Sequence, residues 1–330
     1  MDNSFNLSRD KILTIAIPTY NRASILKIAL HKLIPQYLEF ADEVELIISD
    51  NCSADDTSLV INDFINKYNL ENIIFHQQTY NSGYYGNFRK CRELSNGKYF
   101  WLLSDNDHIT SNTLSKILDI LRSEHNTSFV YLHNQVKGNK CNSIEIIDFS
   151  SIRHQHEKFS LMLISSIVVR NNKNNDDYIF ETFKNNLFLG FLFLAESLRD
   201  SQKVVVMRGF HLDSYPSKVT FNIFEAWIHH IDDCIQYMII NNIIDEVTKN
   251  YIVTGYLKRV VYYHVYYYIV KGNLYNMKFD SLSEIEKRMD EIYMDNQYYK
   301  HVIKKLFKTS RFYLLIRYLI CEKLYKNFFR

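Results

Sequence analysis

Four short apolar runs stand in the first part of this 330-residue chain, and the spacing between them limits how they can pair. "ILTIAI" (12–17) is followed by Ile25, Ile28, Ala29 and Leu33 on one helical face, and "VELIIS" (44–49) by Val60, Ile61, Phe64, Ile65 and Tyr68 on another. "NIIFH" (72–76) and "KYFWLLS" (98–104) complete the set. Thr110 or Ser111 then caps a helix carrying Leu114, Ile117, Leu118 and Leu121 at i, i+3, i+4, i+7. A continuous apolar strand is buried on both faces, and strands separated by helix-length crossovers pair in parallel. The predicted fold class is therefore α/β: a Rossmann-like, mostly parallel sheet with helices on both faces, and right-handed crossovers.

In such sheets ligands lie outside the carboxyl ends of the strands, so the polar residues there are the ones to inspect. Strand one ends in "PTYNR", strand two in "SDNCSADD", strand three in "HQQTYNSGYYGN" and strand four in "SDND". Four loops would thereby bring Asp50, Asn51, Asn81, Gly83, Asp105 and Asp107 to one rim. Each also has a plainer reading. Asp50 suits a helix cap, Asn81 and Gly83 suit a turn, and an Asp-x-Asp triplet alone is usually a solvated turn.

The order and spacing of four segments resemble the family 2 glycosyltransferases, with their nucleotide-sugar-binding fold of the GT-A type. The segments are "IPTYNR" (17–22), "ISDNCSADDT" (48–57), "NSGYYGNF" (81–88) and "GKYFWLLSDND" (97–107). The resemblance is close over about the first 125 residues and thins beyond about 210. It implies that Asp107 ligates Mg²⁺ or Mn²⁺ and that Asp105 faces the ribose or the metal shell. It further implies that Asp50 accepts a hydrogen bond from the base, and that Pro18, Thr19, Tyr20 and Arg22 form the loop around the nucleotide, with Asn51 on the same rim. Asn81, Gly83 and Asn87 match the turn that closes the other side. A divalent cation held by carboxylates and a diphosphate absorbs the charge that builds on the leaving group.

An acceptor hydroxyl must also lose a proton, which calls for a carboxylate. "LISSIVVRNN" (163–172) and "FLFLAESLRDSQKVVV" (191–206) resemble the family's acceptor-binding segment and the helix and strand after it. The Glu-Asp pair expected near Leu189 and Gly190 is missing, which leaves Glu181 and Glu196 as candidates for the base. His211, after "KVVVMRGF", matches a histidine that completes the metal shell in some relatives; a satisfied structural histidine is the alternative. The implied activity is an inverting, metal-dependent transfer from a nucleotide diphosphate-sugar to a hydroxyl of a surface polysaccharide precursor, with a lipid-linked acceptor implied because many members of the family use one. Two rival readings remain at this level: a nucleotidyltransferase, against which "PTYNRAS" lacks a glycine-rich phosphate loop, and a non-catalytic nucleotide- or glycan-binding protein.

A formal net charge of +2 is too mild to argue for nucleic acid as the partner. Five scattered cysteines without CxxC spacing read as reduced thiols of a cytoplasmic protein. "MDNSFNLSRDK" lacks the basic and apolar blocks of a secretory leader, and no apolar run reaches the length of a bilayer span. The expected organisation is a catalytic domain over 1–220 and a tyrosine-rich helical region over 221–330. Within 301–330 there are eight Lys or Arg against one Glu. Lys300, Lys304, Lys308 and Arg311 share a predicted helical face, beside apolar Val302, Ile303, Leu306, Phe307 and Leu314. That pattern suits peripheral attachment of 300–330 to an anionic membrane, with a helix docked on its own domain as the alternative.

Overall fold

The computed structural model describes residues 11–70, 72–124, 126–134, 142–154, 164–215, 223–271 and 281–318. They belong to two compact units, 1–217 and 218–330.

The first unit is built on an eight-stranded sheet in the order β3-β2-β1-β4-β8-β6-β9-β7. Its strands are β1 (Leu13–Thr19), β2 (Val44–Asp50), β3 (Ile73–Gln77), β4 (Tyr99–Leu102), β6 (Phe129–Asn134), β7 (Ser143–Asp148), β8 (Ile167–Arg170) and β9 (Lys203–Gly209). The short strands β5 (Asp107–Ile109) and β10 (Leu212–Ser214) form a separate antiparallel ribbon. Helices α1 (Ala23–Glu39), α2 (Thr57–Tyr68), α3 (Gly83–Leu94) and α4 (Thr113–Ser123) alternate with the early strands, and α5 (Asp176–Thr182) and α6 (Leu189–Asp200) come later.

The four apolar runs pair in parallel as predicted: β1 lies between β2 and β4, and β3 pairs with β2. Only β8 and β7 run against the rest; β8 enters between β4 and β6 and pairs antiparallel with both. The alternation of side chains along β1 explains why both faces need cover. Leu13, Ile15 and Ile17 join Leu26, Leu30 and Leu33 of α1 and Ile61 and Phe64 of α2 in one fully or almost fully buried cluster. On strand β4, Phe100 instead meets Phe193 of α6 edge to face at 6.1 Å. Helices thus pack on both sides of the sheet.

Gly97 marks the tightest approach at the amino-terminal edge. A Cβ there would sit 2.5 Å from the Thr14 backbone nitrogen and 2.7 Å from the Leu13 carbonyl carbon. Its N–H donates to Thr14 Oγ1 at 2.8 Å, and Asn96 N and Nδ2 hold the Glu45 carboxylate of β2. The loop before β4 therefore locks the register of three strands.

In the second unit the tyrosine-rich run forms helix Tyr262–Lys271, preceded by a π turn over Leu257–Val261. Tyr299 is buried and its hydroxyl donates to Asp290 at 2.6 Å, so a tyrosine hydroxyl does find a partner at the edge of the core. The single basic face predicted over Lys300 to Arg311 is not formed. A π turn over Tyr299–Ile303 shifts the helical phase, and Thr309, in an extended conformation, ends helix Lys304–Lys308. Ile303, Leu306 and Leu314 point inward as core, while Lys304 pairs with Asp290 at 2.8 Å. Residues 319–330 of the predicted membrane segment lie outside the described residues. Among the described residues no helix is long and apolar enough to cross a membrane.

Gly97→Ala is expected to destabilise the protein by about 2 kcal/mol or more, because the added methyl meets backbone that cannot move aside. A urea unfolding midpoint unchanged from wild type would contradict this. Among the described cysteines, burial pushes the Cys91 thiol up to about 12, whereas Cys52 is only half-buried. Alkylation of the native protein at pH 8, read by peptide mass spectrometry, should therefore modify Cys52 well before Cys91.

Candidate active site

The parallel pairing brings the ends of β1, β2 and β4 together. Thr19 stands opposite Asp50 in the β1–β2 register, and the chain leaves β4 three residues before Asp105. Asp105 is 3% exposed and both its oxygens are engaged: Thr19 Oγ1 donates to one at 2.9 Å and Arg22 Nη1 to the other at 2.9 Å. Burial pushes its carboxyl above the ordinary range, and the Arg22 guanidinium and Thr19 hydroxyl pull against that rise. Arg22 is about one-third exposed, and a guanidinium carries five donors, so its fork still faces solvent after the bond to Asp105.

Asp107 is turned differently because it has already left the main sheet. In β5 it pairs with Ser214 of β10, whose hydroxyl donates to its Oδ1. Asn106 Nδ2 donates to the Tyr215 carbonyl at 3.0 Å and fastens the same turn. The Asp-x-Asp triplet thus presents one closed carboxylate, Asp105, and one half-exposed carboxylate, Asp107. Ser214 could not be read from the sequence, since 107 positions separate it from its partner.

The second loop is organised around Asp50, which is fully buried. Its carboxylate accepts from Ser53 N at 3.1 Å, Ser53 Oγ at 2.5 Å, Ser58 Oγ at 3.3 Å and Gln77 Nε2 at 3.3 Å. These bonds force the turn in which Cys52 adopts a left-handed φ of 63°. Asn51 reaches across to the third loop: its Nδ2 donates to Asn81 Oδ1 at 2.8 Å and to the Gly83 carbonyl at 3.0 Å, and its Oδ1 accepts from Ser82 N at 2.9 Å. Gly83 has a φ of 72°, a conformation glycine adopts without strain, and it opens α3. Asn87, buried one turn on, donates to the Ser49 carbonyl at 3.0 Å and the Thr19 carbonyl at 3.3 Å. Asn51, Asn81 and Asn87 therefore tie the rim together from behind. Tyr20 is 42% exposed, and Pro18, beside it, is half-buried. Ser53, Ser58 and Gln77 belong to the same constellation. The first two repeat after Asp50 at i+3 and i+8, a signal that points to a capping turn more than to a ligand.

The two predicted base candidates are not gathered at this rim. Glu196 is 0% exposed; Asn175 Nδ2 donates to its Oε2 at 2.5 Å and Arg199 Nε to its Oε1 at 2.7 Å. It belongs with Arg92, whose buried guanidinium pairs with Asp176 at 2.9 Å and lies between the rings of Phe100 and Phe193 at 5.1 and 4.6 Å. Arg92 also donates to Asn171 Oδ1 at 2.6 Å, and Asn171 N is bonded to the Lys98 carbonyl just before β4. This network sits at the amino-terminal edge of the sheet, away from the rim that carries Asp107, so Glu196 is corrected to a structural role. Glu181 is exposed and faces Arg89 at 3.4 Å, about 9 Å down α3 from Gly83 by helix rise. His211 is 2% exposed, and its ring lies so close to Gly209 that a Cβ there would meet Nε2 at 2.7 Å. Burial lowers its pKa, and backbone hydrogen bonds oppose that fall.

Among the described residues no three His, Cys, Asp or Glu side chains form a metal-holding group. The donor set nevertheless fits one kind of site. Mg²⁺ and Mn²⁺ take hard oxygen ligands, and such ions are commonly held by one or two carboxylates plus substrate phosphates. Asp107 supplies a half-exposed carboxylate of that kind, whereas Asp105 is already paired with Arg22. Glu196→Gln is expected to lower unfolding stability by about 1–3 kcal/mol through the Arg199 and Arg92 network while leaving ligand affinity at the rim unchanged. Urea unfolding and calorimetry on the same variant separate the two effects.

Residues 14–182, slightly more than half of the chain, match the family described as Glycosyl transferase family 2. Abequosyltransferase RfbV of Salmonella typhimurium is 29% identical over 168 residues, which cover 51% of this chain and 47% of that protein. GalNAc(5)-diNAcBac-PP-undecaprenol beta-1,3-glucosyltransferase of Campylobacter jejuni is 31% identical over 106 residues, covering 32% and 33%. The chain thus spans about half, or less, of the length of these curated relatives. Among solved structures, S. aureus TarS 1-349 in complex with UDP-GlcNAc superposes with a TM-score of 0.61 at 16% identity, over 86% of this chain and 81% of that one. Mannosyltransferase PcManGT from Pyrobaculum calidifontis, in complex with GDP-Man and Mn²⁺, gives 0.51 at 11% identity, over 93% and 85%. These two likenesses speak to fold. Together with the family match, the four strand-end loops identify the chain as a member of glycosyl transferase family 2 with the GT-A fold.

Proposed function

We propose that the chain is an inverting, divalent-metal-dependent glycosyltransferase that moves a sugar from a nucleotide diphosphate donor to a hydroxyl of a lipid-linked surface-glycan precursor. The observation that carries this reading is the division of labour at the end of β4, where Asp105 is closed by Thr19 and Arg22 while Asp107 stays half-exposed. The lipid-linked acceptor is supported by similarity to a Campylobacter enzyme whose name specifies an undecaprenol substrate.

In this reading the nucleotide lies across the ends of β1 and β2. Pro18 and Tyr20 pack beside the base, and Asp50 with Gln77 and Ser58 sets the hydrogen-bonding edge that the base meets. Asp105 and Arg22 take the ribose and diphosphate, with Arg22 already oriented by its ion pair and so losing little freedom on binding. Mg²⁺ or Mn²⁺, when bound, neutralises the charge that builds on the diphosphate as the glycosidic bond breaks. Asp107, oriented by Ser214, would hold that ion. The acceptor oxygen attacks the anomeric carbon in line from the opposite side and loses its proton to a carboxylate. Of the two candidates from the sequence only Glu181 keeps solvent access, with its side chain 75% exposed.

A second reading has its own observation. Residues 183–193, which lead into and open α6, contain no Asp or Glu. That favours a member that binds a nucleotide or glycan without turnover, in which case binding would persist across a donor and acceptor panel that yields no product.

The deciding experiment is titration calorimetry against UDP, GDP, dTDP and CDP with and without Mn²⁺. One nucleotide is expected to bind with metal-dependent affinity, and Asp107→Ala should remove the metal's contribution, a loss of about tenfold or more. Arg22→Gln should weaken nucleotide diphosphate binding about tenfold with or without metal, since a charge-assisted bond is lost in both cases. Absence of binding to all four by folded wild-type protein would overturn the proposal.

A further inference from the structure

The last described helical residues, 311–318, carry an exposure pattern opposite to that of a surface helix. Their inward side is fixed by contacts with helix Tyr262–Lys271 of the same unit. Leu314 is 1% exposed and its carbonyl accepts from Tyr266 Oη at 3.0 Å. Tyr318 meets Tyr267 edge to face at 5.9 Å, and the Lys271 ammonium lies 4.5 Å from the Tyr318 ring centre. Leu314 and Tyr318 are four apart and define one stripe.

At 100° per residue the positions turned furthest from that stripe are Phe312, Ile316 and Tyr313. An ordinary surface helix places charge there. Here Phe312 is 71% exposed, Tyr313 60% and Ile316 40%, with Leu315 at 36% beside them. Arg317 falls on one flank and is exposed, while Arg311 falls on the other, close to the inward stripe, where its Nη2 donates to the Val270 carbonyl at 3.3 Å. Lys305 and Lys308, exposed in the preceding helix, extend the positive charge. No Asp or Glu occurs from 296 to 318. Among the described residues of this segment the outward side is thus apolar, and the charged residues beside it are cations.

We infer that this face, formed by Phe312, Tyr313, Leu315 and Ile316 between Arg311 and Arg317, docks on an anionic lipid bilayer. Such a helix lies in the interface plane with its apolar side below the headgroups, and its flanking cations at the depth of the lipid phosphates. Charge decides between the bilayer and a second copy of the chain. A two-fold contact would set the same cationic border against itself without a carboxylate to answer it, whereas an anionic headgroup layer complements it. The inference is independent of the proposed transfer reaction, because all of its residues lie in the second unit.

The test is co-sedimentation of the full chain with vesicles of 30% phosphatidylglycerol in phosphatidylcholine, and with pure phosphatidylcholine, at low and high salt. Wild type is expected to pellet with the anionic vesicles at least about tenfold more than with the neutral ones, and to be released by salt. Phe312→Ser/Ile316→Ser should reduce that binding about tenfold or more, and Lys308→Glu/Arg317→Glu, which touches only exposed side chains, should do the same. Circular dichroism and thermal melting establish that each variant is folded. Equal pelleting with both vesicle types, or retention of anionic binding by both folded variants, would overturn the inference. So would a wild-type dimer in light scattering that the Phe312→Ser/Ile316→Ser variant dissolves, which would assign the face to a second copy.

Discussion

The parallel pairing of β1 with β2 on one side and β4 on the other is the constraint from which the first unit follows. It is possible only because all three strands are apolar on both faces, so that each can be covered by helices above and below. Gly97 and the Thr14–Glu45–Asn96 hydrogen bonds set the register at one edge. A register fixed at the amino-terminal edge dictates which residues emerge together at the other, because each residue of a strand advances the chain by a fixed rise. Asp50 and Thr19 are level for this reason, and Asp105 reaches Thr19 and Arg22.

The two aspartates of the triplet illustrate how one strand end can yield two different environments. Asp105 remains under the sheet edge, where low solvent access makes an unpaired carboxylate costly and the Arg22 guanidinium answers it. Asp107 passes into the β5–β10 ribbon, where a serine hydroxyl orients it without neutralising it. A closed, paired carboxylate and a half-exposed one two positions apart give the rim both rigidity and an accessible acceptor. Similar logic holds the neighbouring loops: Asn51, Asn81 and Asn87 spend their amides on each other and on backbone groups, so the loops resist collapse into the space they border.

The opposite edge of the sheet carries the other dense polar network, around Arg92. There a buried guanidinium is offset by Asp176, by two aromatic faces and by the nearby Glu196, and it links α3, α5 and the start of β4. This arrangement removes Glu196 from catalysis and gives the α5–α6 segment a fixed floor. Between the two polar edges lies a large buried apolar cluster that runs from Leu13 to Leu212.

Much of this was written in local sequence. The apolar runs and helical periods determined the existence of the first four strands, their parallel sense and the rim on which Asp50, Asp105 and Asp107 emerge, because burial and crossover length are local properties. Neither the side-by-side order of the strands nor the reversed entry of β8 between β4 and β6 was legible, since both depend on contacts between distant segments. Nor was the partner of Asp107, 107 residues away, or the burial of Glu196, which follows the uninterrupted apolar stretch Leu189 to Ala195 that offers no phase to read. In the C-terminal unit the sequence set the excess of positive charge, but helix phase decided its use. A π turn at Tyr299–Ile303 and a break at Thr309 rotated Ile303, Leu306 and Leu314 into the core and left Phe312 and Ile316 outside. Composition fixes how much apolar surface a chain carries; only the tertiary structure decides which part of it remains in water, because that depends on what each helix meets.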